Sequence, residues 1–553
     1  MKECKLFIKY KVDGKLFSDD NYQNQHYVIE KSFSDNMVKL DIIPKAEIEL
    51  VALELSYNYE YDPESRFYIN GYQSWTTSYE ARSDDRQRGI TPILKAIPFG
   101  KLLAATSGDY SFVDYPSKAG MFHSFTYTYI TKDSSDELCF YGSLNEKTGY
   151  TIFHADMNSN KLKVVKDVEG VIISKPYELL NIIRIEGLYD GVFDKYFAAL
   201  NISKPSKIDH LAGYTSWYNY FGTIDEKIIL RDLDGLDRVK DVVNIFQIDD
   251  GYQPFIGEWT SKNEEKFPIG MKKIAEKVHK KGYLAGIWLA PFNVQRKSKL
   301  VKEHPDWFIK NEKGKPIIGC VGWGGAYVLD IEIKAVREYI KNFFDVIAND
   351  WNFDMFKLDF LYSQCMLPRN GKSRGQIMCE AMEFLRECAG EKLILGCGVP
   401  LGPAFGLVDA CRIGCDMDLQ YKPRFYNKLH VNNEIPSVQN SMTNTISRRH
   451  LNGRVFLNDP DVFFFRDTNL KFTLEQKKIL AKVNNLFGSV LFVSENVADY
   501  GDDALALAKK AFAKSNAMII SVTCDEDKCY TIKYLQDGEQ KKFSFDLKTG
   551  TEL

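Results

Sequence analysis

The first part of the chain, to about residue 200, consists of short runs in which apolar and polar positions alternate. Examples are YVIEKSFSDNMVKLDII at residues 27–43 and KLKVVKDVEGVIIS at residues 161–174, each bounded by turn residues. Successive side chains of a strand point to opposite faces, so a period of two is typical of half-buried antiparallel strands. The pattern predicts an N-terminal β-sandwich domain over residues 1–205.

The pattern changes after a short polar segment that contains a proline, NISKPSKIDH at residues 201–210, which predicts a domain boundary. Beyond it, compact apolar runs alternate with helical segments such as MKKIAEKVHKKG, KAVREYIKNFFDVIAND and EAMEFLRECAG. This alternation is typical of repeated βα units around a parallel sheet.

The number of strands in this region decides between two folds. Eight strands are predicted: YTSWY, IFQIDD, AGIWLAPF, MFKLDF, LILGCG, CRIG, VFLNDPD and SVLFVSE. Eight βα units within about 280 residues match a closed (β/α)8 (TIM) barrel, which usually takes about 250 residues. The alternative, an open doubly wound sheet, is disfavoured because no glycine-rich phosphate-binding fingerprint follows the first strand. We therefore predict a central (β/α)8 barrel over residues 206–515.

The end of the chain returns to alternation. After a last helix near ALALAKKAFAKS, the runs AMIISVTCDEDKCYTIKYLQ and KKFSFDLKTGTEL predict a small C-terminal antiparallel β-domain over residues 516–553. Three domains suit a chain of 553 residues, because a single core stops growing at about 250–300 residues.

Charge and composition exclude several classes of partner. The formal net charge is −3 and no long Lys/Arg block occurs, so neither nucleic acid nor a membrane surface is an expected partner. A small uncharged molecule is expected instead. The N-terminus, MKECKLFIKYKVDGKLF, has no apolar signal region, and no apolar run reaches membrane-spanning length, which predicts a cytoplasmic protein.

The cysteines and histidines argue against a disulfide framework and a metal site. The 11 Cys are odd in number and scattered, as reduced thiols are, and none of the 8 His pairs with another at ligand spacing. No metal and no cofactor are therefore expected. Aromatic residues make up 13% of the chain, which suits stacking on sugar rings but equally suits β-rich cores.

The ends of the predicted barrel strands carry mainly carboxylates and tryptophans. Catalytic groups of a (β/α)8 barrel lie at the C-terminal strand ends, where this chain has Ser216, Trp217, Tyr218, Asp249, Asp250, Trp288, Lys357, Asp359, Cys397, Arg412, Asp416, Asp459 and Asp461. Acids with aromatic walls suit glycoside hydrolysis, in which one carboxylate attacks or activates water and another protonates the leaving oxygen. A carbohydrate substrate is predicted.

Individual members of this set have a structural alternative, because an Asp at a strand end often caps the next helix. Asp459 and Asp461 lie beside Asn458 and Pro460, and we interpret them as capping and loop-bracing residues. Arg412 can orient ligand oxygens or a carboxylate, and a structural ion pair is its alternative.

The motifs TSWYNYF, FQIDDGYQ, GIWLAPF, FKLDFLY, LGCG, RIGCD and FLNDPD occur in this order, and INGYQSW precedes them. Through these motifs the chain resembles, over nearly its whole length, glycoside hydrolase family 36. The type members of that family are microbial α-galactosidases. The resemblance implies a retaining α-galactosidase that acts through a covalent galactosyl-enzyme.

The resemblance also implies roles for individual residues. The family's nucleophile falls on Asp359 and its acid/base on Asp416, and Lys357 and Arg412 accompany them. An ammonium two residues before Asp359, on the same strand face, would hold that carboxylate ionised. The remaining sugar-pocket positions that the family implies are Asp249, Asp250, Trp217, Tyr218, Trp288, Cys397 and Trp75. The two adjacent acids are expected at the galactose 4- and 6-hydroxyls, and Trp75 over the active site.

The chain departs from the family pattern in two places. After Asp416 it continues Met417-Asp418-Leu419-Gln420-Tyr421, where many relatives have a Thr or Ser and a Pro-Phe/Trp segment, and Asp418 is therefore a rival for proton transfer. The pair Tyr214-Thr215 stands where Trp-Cys is common, which we interpret as a repacked wall.

Three other functions remain open. The same mechanism on α-N-acetylgalactosamine is one, and a raffinose-synthase-like galactosyl transfer is another. The third is a carbohydrate-binding protein without turnover, which the presence of both carboxylates disfavours. The expected partner is an α-galactoside or related α-glycoside, and the sequence permits an oligomer.

Overall fold

The computed structural model describes residues 4–34, 36–132, 136–202, 208–428 and 433–553. The chain forms two compact units. Unit 1 comprises Met1–Ser203, Tyr362–Leu385 and Val399–Leu407, and unit 2 comprises Lys204–Leu361, Arg386–Gly398 and Val408–Leu553. The predicted boundary between residues 205 and 206 lies outside the described residues, and the predicted division into three domains stays a prediction.

Unit 1 contains a β-sandwich of two seven-stranded antiparallel sheets. Its strands are β1 (Cys4–Val12), β2 (Lys15–Asp19), β3 (Tyr27–Phe33), β4 (Met37–Pro44), β5 (Ile48–Asn58), β6 (Ser65–Ile69), β7 (Tyr79–Ala81), β8 (Met121–Phe125), β9 (Tyr127–Lys132), β10 (Glu137–Ser143), β11 (Thr151–Asp156), β12 (Lys161–Lys166), β13 (Ile172–Ile173) and β14 (Tyr177–Leu188). One sheet has the order β2-β1-β5-β12-β11-β8, with β13 also beside β5, and the other has the order β3-β4-β14-β10-β9-β6-β7.

The core of this sandwich follows the period of two predicted from the sequence. On β1 the alternate residues Leu6 and Ile8 are buried, and on β4 so are Val38, Leu40 and Ile42. Each sheet thus turns one apolar face inward, and removing that face from water is the main favourable contribution to folding. The predicted N-terminal β-sandwich is confirmed. Helices α1 (Pro92–Ala96), α2 (Pro98–Ala105) and α3 (Tyr189–Ala199) accompany it.

Unit 2 contains a parallel sheet of eight strands. These are β15 (Leu211–Thr215), β16 (Ile245–Ile248), β17 (Leu284–Leu289), β21 (Met355–Leu358), β22 (Leu393–Gly396), β23 (Ala410–Arg412), β24 (Leu457–Asp459) and β25 (Val490–Val493). The sheet order is β24-β23-β22-β21-β17-β16-β15-β25. Between the two end strands, the Ser489 N–H donates to the Asn458 carbonyl oxygen at 3.0 Å. The predicted (β/α)8 barrel is confirmed.

Helices lie between the barrel strands in sequence and after the last of them. They are α4 (Trp217–Tyr220), α5 (Glu226–Gly235), α6 (Met271–Lys280), α7 (Lys299–Glu303), α8 (Lys334–Asp345), α9 (Arg374–Ala389), α10 (Leu401–Ala404), α11 (Phe425–Lys428), α12 (Val438–Ser447), α13 (Leu474–Phe487) and α14 (Asp502–Phe512). On α6, Met271, Ile274, Ala275 and Val278 form the buried stripe, with the spacing of one helix face. Among the described residues, no helix is long and apolar enough to cross a membrane.

The first barrel strand is shorter than predicted. The run YTSWY was expected to be extended throughout, but β15 ends at Thr215 and Trp217 begins α4. Ser216 has φ −84° and ψ −1°, a helical conformation that turns the chain at the end of the barrel strand.

Two small antiparallel sheets complete unit 2. Strands β18 (Asn293–Gln295), β19 (Ile318–Cys320) and β20 (Ala326–Val328) form one of them, between β17 and α8. Strands β26 (Met518–Cys524), β27 (Cys529–Gln536), β28 (Glu539–Asp546) and β29 (Thr551–Glu552) form the predicted C-terminal β-structure.

Candidate active site

Ten of the eleven predicted site residues lie in unit 2, at or just after the C-terminal ends of barrel strands. They are Trp217, Tyr218, Asp249, Asp250, Trp288, Lys357, Asp359, Cys397, Arg412 and Asp416. Parallel strands of a barrel present these ends on one face. The sequence-predicted set is therefore collected at one end of the barrel.

Asp249 is the counter-ion of Lys357. The Lys357 Nζ donates to the Oδ2 of Asp249 at 2.7 Å, and both side chains are buried. Gln247 Nε2 donates to the same oxygen at 3.1 Å. Burial by itself would lower the pKa of Lys357, but the carboxylate of Asp249 raises it above its ordinary value. The fourth barrel strand thus carries a buried ammonium.

Asp250 is held by two side-chain donors. The chain turns directly after it, where Gly251 has φ 124°, a conformation that glycine adopts readily. Gln253 Nε2 donates to the Oδ1 of Asp250 at 2.6 Å, and Trp323 Nε1 donates to its Oδ2 at 2.8 Å. Burial raises the pKa of Asp250, the two hydrogen bonds lower it, and neighbouring acids raise it, with a net upward shift.

Asp359 follows β21 and is also held by two donors. Trp288 Nε1 donates to its Oδ2 at 3.0 Å, and the Phe360 N–H donates to its Oδ1 at 2.8 Å. Burial raises the pKa of Asp359, the charge of Lys357 lowers it, and the charge of Asp416 raises it, with a net upward shift. Lys357 therefore favours ionised Asp359 without outweighing burial. The effect of Asp416 means that the two carboxyl groups share one electrostatic environment.

Cys397 stands beside Asp359. Burial and the Asp359 charge raise the pKa of the Cys397 thiol well above its ordinary value. The thiol therefore stays protonated and acts as a hydrogen-bond donor that lowers the pKa of Asp359. It is not poised as a nucleophile, since only the thiolate is reactive.

A single guanidinium holds three carboxylates. Arg412, whose side chain is 3% exposed, places Nη1 at 3.0 Å from Asp416, Nε at 3.0 Å from Asp459 and Nη2 at 2.9 Å from Asp461. The Asp416 side chain is 41% exposed, whereas the other two are buried. Arg412 is therefore both a structural ion pair and the group that orients Asp416. Asp459 and Asp461 hold Arg412 on β23, and their predicted capping and loop-bracing role stays a prediction.

Tyr218 belongs to the same network. Its hydroxyl donates to the Oδ2 of Asp461, and the Met417 N–H donates to that oxygen at 2.9 Å. Asp461 has φ 74°, in the left-handed region. Burial raises the pKa of Asp461 to about 7, against the lowering effect of Arg412. Asp461 therefore anchors the peptide group that directly follows Asp416.

The predicted rival for proton transfer has another partner. Asp418 accepts from Arg424 through Nε at 2.6 Å and Nη2 at 2.7 Å, and its side chain is buried. A bidentate pair of this kind fixes both oxygens of a carboxylate. Asp416 is the more accessible of the two acids and the better candidate for proton transfer.

Two aromatic residues of the predicted pocket pack against other aromatic rings. Trp217 begins α4, and its ring centroid lies 5.2 Å from that of Phe221 in an edge-on arrangement. Trp75 lies in unit 1, where its ring centroid is 5.8 Å from that of Tyr362. Its position over the active site stays a prediction.

Trp323 and Gln253 are site residues that sequence reasoning missed. Trp323 lies in a Gly-Trp-Gly-Gly run between β19 and β20, not at a barrel strand end. Gln253 follows the Asp249-Asp250 pair by three residues and donates to Asp250. A lone tryptophan between glycines was the available signal for Trp323. Among the described residues, no cluster of three or more His, Cys, Asp and Glu side chains could hold a metal ion.

Comparison with known proteins agrees with this chemistry. Residues 230–374 match the Melibiase family model. The chain is 26% identical over 208 residues to an A type blood α-D-galactosamine galactosaminidase of Flavonifractor plautii, covering 34% of this chain and 19% of that protein. It is 29% identical over 139 residues to α-galactosidase 1 of Pediococcus pentosaceus, covering 23% of this chain and 18% of that protein. The matches thus span under a fifth of either relative.

Solved structures resemble the chain over much greater lengths. One is an α-galactosidase from Thermus thermophilus in complex with p-nitrophenyl α-D-galactopyranoside. Its TM-score is 0.72 at 21% identity, and the alignment covers 97% of this chain and 98% of the Thermus chain. The family 36 α-galactosidase AgaA from Geobacillus stearothermophilus has a TM-score of 0.61 at 11% identity, covering 92% of this chain and 72% of its own. At these identities the likeness establishes the fold. The Melibiase segment and the sequence relatives show that part of the chain is similar to α-galactosidases.

Proposed function

We propose that the chain is a retaining α-galactosidase, with Asp359 as the nucleophile and Asp416 as the general acid and base. The observation that carries the proposal is that two acids at C-terminal strand ends of the barrel are each held by fixed donors: Trp288 and Phe360 hold the buried Asp359, and Arg412 holds the half-exposed Asp416. Retaining glycosidases need two such carboxyl groups, only about 5–5.5 Å apart. The match to the Melibiase family model and the similarity to α-galactosidases support the same reaction.

In the first step, a carboxylate oxygen of Asp359 attacks the anomeric carbon of the α-galactoside. The bond between that carbon and the glycosidic oxygen breaks, and the carboxylic acid of Asp416 gives its proton to the departing oxygen. The product is a β-linked galactosyl ester of Asp359. Donors from Trp288 and Phe360 hold the two oxygens of Asp359 in place, so that little reorganisation precedes the attack.

In the second step, the carboxylate of Asp416 removes a proton from water, whose oxygen attacks the anomeric carbon from the opposite face. The ester bond breaks, Asp359 leaves as a carboxylate, and galactose is released with its α configuration. Arg412 holds Asp416 in both steps through its Nη1. The exposure of Asp416 gives water and leaving group a route to its oxygens.

Recognition of the sugar is assigned to Asp250 and the aromatic walls. Asp250 is a buried acceptor for sugar hydroxyls, and Trp288 is assigned as a wall against the ring carbons because it lies beside Asp359. Asp249 is predicted to bind sugar hydroxyls as well, although its Oδ2 already accepts a hydrogen bond from the Lys357 ammonium. The roles of Trp217 and Trp75 as further walls remain part of the proposal.

Azide rescue tests the two catalytic assignments. Asp359→Gly is expected to abolish turnover, and added azide to restore reaction with β-galactosyl azide as the product. In Asp416→Gly, a good leaving group still departs, so the galactosyl-enzyme accumulates as a burst and azide yields the α-galactosyl azide. A β-azide from Asp416→Gly, or wild-type rates of both variants on an unactivated galactoside, would refute the assignment.

A 2-amino sugar is the second candidate substrate. The galactosaminidase of Flavonifractor plautii is among the sequence relatives, and galactosamine shares the axial 4-hydroxyl of galactose. Comparing the p-nitrophenyl α-glycosides of galactose, galactosamine and N-acetylgalactosamine separates the candidates by kcat/KM. The cytoplasmic location also remains a proposal, and it draws on the free state of all eleven cysteines.

A further inference from the structure

The proposed reaction gives no part to Trp323, yet this residue holds an unusual conformation. Its φ is 55°, in the left-handed region that bulky side chains rarely adopt. Gly324 and Gly325, which follow it, have φ 76° and 96°, so three consecutive residues have positive φ. Strain of this kind persists only where surrounding contacts fix it, and it is concentrated at functional sites.

The contacts that fix Trp323 come from the candidate active site. Its Nε1 donates to the Oδ2 of Asp250 at 2.8 Å, and its carbonyl oxygen accepts from Gln295 Nε2 at 3.1 Å. Its ring centroid lies 6.0 Å from that of Trp288 and 5.1 Å from that of Phe360. Trp288 holds Asp359 through its own ring N–H, so two neighbouring indoles each hold one acid.

The effect on Asp250 is to fix its carboxylate in one orientation. Gln253 donates to Oδ1 and Trp323 donates to Oδ2. Rotation of the carboxylate group away from this orientation would break both hydrogen bonds. Each carboxylate oxygen can accept a further bond. A carboxylate that is already fixed in one orientation binds hydroxyls without the entropy cost of ordering its side chain.

We propose that Trp323 is a positioning residue for sugar recognition: it fixes Asp250 and so sets the affinity of the pocket for a galactose-type ring. This inference rests on the proposed function, because it takes Asp250 as the acceptor for sugar hydroxyls. Trp323 acts on binding, not on the transfer of the anomeric carbon.

Replacement of the donor tests the inference. Trp323→Phe keeps an aromatic ring and removes the N–H, and Trp323→Leu removes the donor with a different side chain. Both are expected to lower kcat/KM on p-nitrophenyl α-galactopyranoside about 10-fold, mainly through a higher KM. Trp307→Phe is the matched control, since Trp307 stacks on His304 at a centroid distance of 3.8 Å, and it should stay within about 2-fold of wild type. An unchanged KM in Trp323→Phe would overturn the inference.

A double-mutant cycle separates positioning from a general structural effect. If Trp323 acts through Asp250, adding Trp323→Phe to Asp250→Asn should change kcat/KM by less than about 2-fold, because the two losses are not independent. Losses that multiply would contradict the inference, since Trp323 would then act elsewhere.

Galactose binding distinguishes failure of this inference from failure of the proposed function. A wild-type protein that releases no p-nitrophenol would refute the α-galactosidase assignment by itself. Titration calorimetry with D-galactose then decides on Trp323, with a Kd about 10-fold weaker in Trp323→Phe as the expected result. An equal Kd in wild type and variant, or no binding by the wild type, would overturn the inference.

Discussion

Removing the buried ammonium of Lys357 should affect stability and the pH dependence of activity by separate routes. Lys357→Met leaves the chain length of the side chain nearly unchanged and deletes its charge. The variant leaves the carboxylate of Asp249 buried without its counter-ion. In the wild type, the Oδ2 of Asp249 is 2.7 Å from the ammonium, and the Asp249 side chain is 3% exposed. The variant also takes away the charge that lowers the pKa of Asp359.

Both effects have estimable sizes. Breaking a buried ion pair by deleting one partner costs about 3–5 kcal/mol of stability, because the remaining charge is buried and uncompensated. Lys357 lies two residues before Asp359, about 6.6 Å along a strand. At an effective dielectric of about 20, unit charges at that distance interact by ~2.5 kcal/mol. Ionised Asp359 would lose a stabilisation of this order.

The sign of the pH effect follows from the role proposed for Asp359. Burial already raises the pKa of Asp359, and the variant raises it further, so the ionised nucleophile is lost at a higher pH as pH falls. The acid limb of kcat/KM should therefore move to higher pH. Urea unfolding measures the stability loss, and a kcat/KM profile from pH 4 to 8 measures the limb.

Lys477→Met is the matched control. Lys477 is also a buried lysine, 4% exposed and 2.7 Å from Asp467, but it lies outside the acid cluster. It should change stability and leave the acid limb in place. In Lys357→Met/Asp249→Asn, part of the lost stability should return because no unpaired carboxylate remains. An acid limb that does not move in Lys357→Met would refute the electrostatic coupling of Lys357 to Asp359.

Three further predictions concern the rest of the site. Asp250→Asn should reduce kcat/KM on galactosides by roughly 10- to 150-fold, the loss of one charged hydrogen bond of about 1.5–3 kcal/mol, and an unchanged value would place the residue outside the pocket. Asp461→Asn should destabilise the protein by about 1.5–3 kcal/mol in urea unfolding, since Arg412 keeps two of its three carboxylates and loses one contact with a charged group, and wild-type stability would contradict the importance of that contact. Trp75→Ala should lower the melting temperature, because a buried ring is lost, and should lower kcat/KM even at temperatures where the variant is fully folded; full activity of the folded variant would show that Trp75 does not cover the site.

Much of the fold follows from local patterns. The apolar runs predicted all eight barrel strands, because each βα unit repeats a short buried strand and an amphipathic helix. Other features depend on contacts between distant residues. The segments Tyr362–Leu385 and Val399–Leu407 belong to unit 1 although they lie between strands of the barrel, and periodicity contains no sign of that. The sheet formed by β18, β19 and β20 has strands of three residues, too short for a visible alternation.

In the candidate site, too, some features follow from local sequence and others depend on contacts between distant residues. Strand ends and family motifs led to Asp249, Asp250, Lys357 and Asp359, because a barrel aligns its strand ends. The partners of those residues were not predictable, since a side chain's hydrogen bonds depend on loops. The sequence predicted that Lys357 would favour ionised Asp359, and its charge does lower the pKa of Asp359. The hydrogen bond of its ammonium to Asp249 was not predicted.

The different exposure of the two proposed catalytic acids has a mechanistic reason. A nucleophile should be fixed and shielded, since water near the ester would weaken the interactions that hold it, and Asp359 is 9% exposed with a donor on each oxygen. An acid and base must exchange protons with the leaving group and with water, and the Asp416 side chain is 41% exposed. Exposure alone would leave Asp416 free to rotate. Arg412 prevents this because Asp459 and Asp461 already hold it in place, so that it can fix a carboxylate at the edge of the solvent. The buried Arg412, held by the buried Asp459 and Asp461, thus provides the rigid anchor for one accessible acid.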